Sequence, residues 1–225
     1  MLSWRSIRLW FSLGAISGLL LGSLTIPAAT AATPIRTETT AAAALGQLAV
    51  KGRAPKTGYA RDLFSDGWGD RNGCDLRNVI LARDLVNLSY KGDGCTVISG
   101  TLNDPYTGKV ISFVRGVVSS LKVQIDHVVA VSDAWQKGAQ KLTPEQRDAF
   151  YNDPLNLLAV DGPTNGQKSD SDAASWLPPN KAYRCKYVAR QVAVKRKYAL
   201  WVTSAEKAAI ASVLANCKGQ KLPKG

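Results

Sequence analysis

Ile125-Asp126-His127-Val128-Val129, then Asn152-Asp153-Pro154-Leu155-Asn156-Leu157-Leu158-Ala159-Val160, then Asp161-Gly162-Pro163-Thr164-Asn165-Gly166-Gln167-Lys168, are the segments that decide the fold of this chain. Leu121 to Ile125 reads as a strand with His127 at its end. The short apolar run Leu157 to Val160 reads as a second strand. It passes through a turn into a polar helix start, where Asn165 and Lys168 are three apart and share a face.

Chemistry enters through His127, the sole histidine of 225 residues. One histidine excludes a His-rich metal site and any acid–base pair of histidines. One histidine next to a carboxylate still suits hydrolysis. An imidazole titrates near neutrality and can take a proton from water. A carboxylate such as Asp126 can hold a hard cation through oxygen. Adjacent residues on a strand face opposite sides, so Asp126 and His127 would address different partners.

Working outward, Asn78 to Leu88 has helical periodicity. Thr96 to Leu102 and Lys109 to Val114 flank Asn103-Asp104-Pro105-Tyr106-Thr107-Gly108 and predict a hairpin. Thr143 and Gln146 form a capping-box pattern ahead of a short helix. Asn180 can cap a long helix running from Tyr183 to Tyr198, and Thr203 or Ser204 a last one through Leu214. The fold class is therefore α+β. Residues 32–57 read as a flexible segment containing one short helix and a linker, 58–217 as the folded domain, and 218–225 as a basic tail.

The first 31 residues read as a secretory signal. Arg5 and Arg8 precede an apolar run from Leu9 to about Ile26, and Ala29-Thr30-Ala31 supplies a cleavage site. The same run kept as a membrane anchor is the alternative. Cleavage predicts an extracellular or periplasmic protein without stable membrane association. The net charge is +12, and the signal carries only two of those charges, so the exported part stays strongly basic. That favours a polyanion as partner: nucleic acid, or an anionic envelope polymer. Cys74, Cys95, Cys185 and Cys217 are an even set in an oxidising compartment. Of the three pairings, Cys74–Cys95 and Cys185–Cys217 are preferred because each closes a local loop; no C-x-x-C pair suggests zinc. Arg184, Lys186, Arg190, Lys195, Arg196 and Lys197, interleaved with Tyr187, Tyr198 and Trp201, read either as a phosphate-backbone track or as a solvated face over an aromatic core.

The ordered set Asp126-His127, Asn156-Leu157-Leu158 and Asn165-x-x-Lys168 resembles the ββα-metal site of HNH endonucleases. With Gly73-Cys74-Asp75-x-Arg77-Asn78, Asp104-Pro105-Tyr106-Thr107-Gly108, Ala134-Trp135 and Trp176-Leu177-Pro178-Pro179-Asn180, the chain resembles more closely the secreted bacterial HNH proteins that carry a GmrSD C-terminal-like (DUF1524) domain. The resemblance spans roughly residues 58 to 217. It implies a ββα-metal core with an N-terminal hairpin region and additional C-terminal helices, and cleavage of DNA, with RNA as a secondary substrate, at low sequence specificity. It further implies His127 as general base, Asp126 and Asn165 as ligands of Mg²⁺ or Mn²⁺, Asn156 as the residue that ties the loop, and Lys168 as a phosphate contact. Arg184 and Arg190 would add substrate contacts. Two other readings stay open: a hydrolase of another envelope polymer, and a nucleic-acid-binding or uptake protein without catalysis.

Overall fold

The structure, a computed structural model, describes residues 39–224. The expected signal segment and the first residues after it lie outside that range. The described residues form an α+β fold. Its elements are α1 (Ala41–Gln47), β1 (Asp70–Arg71), β2 (Cys74–Asp75), α2 (Leu76–Asp84), β3 (Leu85–Tyr90), β4 (Val97–Asn103), β5 (Val110–Val114), β6 (Val123–His127), α3 (Val131–Gln136), α4 (Pro144–Tyr151), β7 (Leu157–Asp161), α5 (Gly162–Lys168), α6 (Arg184–Lys197) and α7 (Ser204–Leu214). Three small antiparallel sheets occur among them: β1-β2, β3-β4-β5 and β6-β7. No helix of the described residues is long and apolar enough to cross a membrane.

The pair β6-β7 organises the rest. Its register sets Asp126 opposite Leu158 and His127 opposite Leu157. Both faces of β7 are covered, which is why its sequence is a continuous apolar run. Leu157 and Ala159 join Val123 and Ile125 in a core with Ile80, Leu81 and Phe113 from α2 and the three-stranded sheet. Leu158 and Val160 pack on the other side with Tyr187, Val188 and Val192 of α6. Each fully buried aliphatic side chain stabilises the fold by about 1.5–3 kcal/mol. The helix α5 follows β7 directly, capped by Asp161, whose carboxylate accepts from the Thr164 N–H. Position 162 must be glycine, because a Cβ there would lie 2.0 Å from the Leu121 carbonyl oxygen.

Two expectations need correction. The helix begun at Leu76 stops at Asp84, and residues 85–90 are strand, not helix. The Asp84 carboxylate is held by Arg83 and accepts from the Ala159 N–H, which locks the end of α2 to β7. The segment expected to be flexible is packed down where it is described. Ala41, Ala44, Leu45 and Leu48 are core residues. Val50 bridges Val202, and Arg53 pairs with Asp133 and Asp172. Those two acids belong to a buried ionic cluster with Glu206, Lys137 and Lys195, which joins α3, α6 and α7. Asp133 and Glu206 keep the Lys137 ammonium charged against the opposing effect of burial, raising its pKa. The hairpin, the capping box at Thr143 and Gln146, and the disulfides Cys74–Cys95 and Cys185–Cys217 form as the sequence predicts. Asn180 caps the short turn at 181–183 that leads into α6.

Candidate active site

At the end of β6 the Asp126 and His127 side chains diverge. Both line a cleft of about 300 Å³, with Tyr59, Arg61, Asn165 and Asp170 at its other walls. The His127 ring is nearly enclosed. It stacks on Trp68, with the planes 9° apart and centroids at 5.8 Å, and lies 4.4 Å from the Tyr151 ring. Its Nε2 sits 2.8 Å from the Tyr151 backbone oxygen. A carbonyl only accepts, so Nε2 carries the proton and Nδ1 keeps its lone pair. No side chain or backbone group among the described residues hydrogen-bonds Nδ1. Burial, and secondarily the nearby Arg61 charge, lower the imidazole pKa to about 3. The ring is thus neutral at any pH near neutrality, and burial makes it a weaker proton acceptor than a free imidazole.

The turn that follows His127 is fixed by Asn156, which is fully buried. Its Oδ1 accepts from the Val129 N–H at 2.8 Å, and its Nδ2 donates to the Val129 carbonyl at 3.2 Å. Asn156 touches backbone only and is a positioning residue.

Asp126 and Lys168 form a buried pair. The Lys168 ammonium donates to Asp126 Oδ1 at 2.8 Å and to the His127 carbonyl at 2.9 Å. The other carboxylate oxygen accepts from the Tyr106 hydroxyl. Burial and the Asp126 charge push the Tyr106 phenol well above its ordinary pKa, so it remains a donor. Tyr106 is delivered by the turn at 104–108. Its geometry comes from Asp104, which accepts from the N–H groups of Tyr106, Thr107 and Asp161. Lys168 is therefore not an outward phosphate contact; its ammonium is used inside the protein, between α5 and β6.

A divalent ion on Asp126 and Asn165 does not fit these residues as arranged. Each oxygen of Asp126 already has a donor, and Lys168 neutralises its charge. The Asn165 amide donates through Nδ2 to Gln124 Oε1 at 2.9 Å, so only its neutral Oδ1 would face a cation. No group of three or more His, Cys, Asp or Glu able to hold a metal occurs among the described residues. A dication would meet a donor pair without net negative charge, which is a poor site for a hard cation.

Arg184 and Arg190 are not brought to the cleft. Arg184 donates to the Pro178 carbonyl, and Arg190 points at the carbonyls of Leu155 and Leu157. Lys195 is buried in the ionic cluster. These residues hold α6 in place, so the basic helix is in large part a structural face. The residues missed from sequence are aromatic or remote: Trp68 and Tyr151 around the base, Tyr106 on Asp126, and Tyr59 and Arg61 from the first residues of the domain. Only Tyr106 gave a signal, through its place in the Asp-Pro-Tyr-Thr-Gly turn.

Residues 69–213 match the C-terminal domain of GmrSD restriction endonucleases, a span that contains the β6-β7 pair, α5 and the cleft histidine. The chain belongs to this family. A protein of Arthroderma benhamiae described as an uncharacterized secreted protein is 37% identical over 204 residues, covering 88% of this chain and 97% of that protein. No solved structure matches. The matched domain starts after Tyr59 and Arg61, so these two cleft residues lie upstream of it.

Proposed function

We propose that this chain is an exported endonuclease of the HNH type, which hydrolyses phosphodiester bonds of DNA or RNA with His127 as general base. The observation that carries the reading is the state of that ring: Nε2–H given to the Tyr151 carbonyl, Nδ1 left as a bare base at a polar cleft. The family, a domain of restriction endonucleases, supports nucleic acid as substrate. So does the net charge of +12. The succession of β6, β7 and α5 around the Asp126-His127 pair supports a ββα core. Export is supported by the two disulfides and by the secreted relative.

In the reaction, Nδ1 takes a proton from a water molecule in the cleft. The water oxygen bonds to phosphorus, the bond from phosphorus to the leaving 3′ oxygen breaks, and that oxygen takes a proton from solvent. Trp68 and Tyr151 hold the imidazole plane, Asn156 holds the following turn, and the Tyr151 carbonyl fixes the tautomer. Because the arrangement does not fit Mg²⁺ or Mn²⁺, no step is assigned to an ion. Incubation of plasmid DNA and of RNA with the purified chain and with His127→Ala tests the reading. Cleavage by the parent and none by the variant is expected. Equal cleavage by both, or none by the parent on any nucleic acid, overturns it.

A further inference from the structure

The cleft contains charges of both signs, and most of them are paired. Asp126 is matched by Lys168, and Asp170 by Lys56 at 3.2 Å. Arg61 differs: no carboxylate forms an ion pair with it among the described residues. It is exposed, yet it is held. Its guanidinium lies 5.2 Å over the Tyr151 ring and donates to the Tyr151 hydroxyl at 3.3 Å. Tyr151 is the residue whose carbonyl fixes His127. One tyrosine therefore sets the position of both the base and an uncompensated cation at the same cleft.

The segment carrying Arg61 is anchored at several points. The Lys51 and Ala54 N–H groups donate to the Val202 and Gln136 carbonyls, Trp201 Nε1 donates to the Gly52 carbonyl, and Arg53 reaches the buried acids Asp133 and Asp172. This strap lies before the family domain and crosses to the domain's own cleft. A guanidinium that is preorganised, partly free of competing carboxylates and beside a neutral base is suited to a phosphodiester oxygen, which it can engage with two parallel N–H groups.

We infer that Arg61 is a substrate-binding residue, which holds the phosphate oxygens of the nucleic acid against His127, and that the strap before the domain completes the active site. The inference rests on the endonuclease reading for its substrate class, but its test does not depend on cleavage. Binding of a duplex oligonucleotide and of a single-stranded RNA is measured as a function of salt for His127→Ala, for His127→Ala with Arg61→Gln, and for His127→Ala with Lys91→Gln, an exposed control in the turn between β3 and β4. Loss of one phosphate contact lowers the slope of log K against log salt by about 0.7–0.9. The Arg61 variant is expected to show that loss and the Lys91 variant is not. In the parent background, Arg61→Gln is expected to reduce kcat/KM about 10- to 100-fold, with partial recovery in Arg61→Lys, in line with a charge-assisted hydrogen bond. If Arg61 only props Tyr151, Arg61→Gln lowers Tm while the salt slope stays unchanged, and the inference fails. An unchanged slope alongside normal cleavage overturns the role of Arg61 and leaves the endonuclease reading intact. A lowered slope without cleavage by the parent does the reverse. Absence of nucleic-acid binding overturns both.

Discussion

Replacing Lys168 with Met tests whether the Asp126–Lys168 pair is the strut of the site. The ammonium has no exposed side-chain surface, Asp126 has 6%, and the distance between them is 2.8 Å. Met fills nearly the same volume, so packing changes little. The charge loss is another matter. Asp126 would keep only the Tyr106 hydroxyl, and the His127 carbonyl would lose its donor. Breaking one partner of a buried pair costs about 3–5 kcal/mol. For a domain of this size each kcal/mol lowers Tm by about 2–4 °C, so a fall of about 6–20 °C is expected. Asp126→Asn strands the lysine and should cost a similar amount. The double variant removes both charges and should lose clearly less than the sum, with a coupling of about 1–3 kcal/mol. Thermal melts and urea titrations with the disulfides intact give all three numbers. A Tm for Lys168→Met within about 2 °C of the parent, or strictly additive losses, would refute the buried pair.

Three further outcomes follow from the same geometry. His127 has a folded pKa near 3 against 6.5 in the unfolded chain, so between these values the unfolded state binds the extra proton. Stability should therefore fall as pH drops below 6.5, by about 2 kcal/mol at pH 5, and urea titrations of His127→Gln should lack that component of the slope. Asn156→Ala orphans the Val129 N–H and carbonyl in a fully buried turn; a loss of about 2–4 kcal/mol in unfolding free energy is expected, with kcat reduced more than substrate binding. Calorimetric titration of Mn²⁺ into the chain without nucleic acid should show no uptake at Asp126 while Lys168 is present; stoichiometric binding that Asp126→Asn abolishes would contradict the arrangement described.

What could be read from sequence was local. The hairpin around Asp104–Gly108, the Thr143 cap and the disulfide loops depend on residues near one another in the chain, and each formed as expected. The placement of His127 at a strand end also followed from pattern. The site's electrostatics did not. Lys168 on a polar helix start looks solvated, and only the approach of α5 to β6, permitted by Gly162, turns it inward to Asp126. Tyr106 is twenty residues from its partner in sequence, and Arg61 is ninety from Tyr151. Pairings of that kind come from tertiary packing and leave no periodicity to read. The basic residues of α6 are ambiguous in sequence for the converse reason. A run of lysines and arginines does not tell which of them meet backbone carbonyls or buried acids, as Arg184, Arg190 and Lys195 do. The end of α2 is not legible in the local sequence because the Asp84 carboxylate accepts from the Ala159 N–H of a distant strand.

The central claim is that the bare Nδ1 of His127 draws the proton from water. Its most direct test is chemical rescue. His127→Gly leaves a slot between the Trp68 and Tyr151 rings into which free imidazole fits. Cleavage of a nucleic-acid substrate by this variant should be lost and should return in proportion to added imidazole, while substrate binding stays unchanged. Cleavage by His127→Gly at the parent rate, without imidazole, would contradict the account.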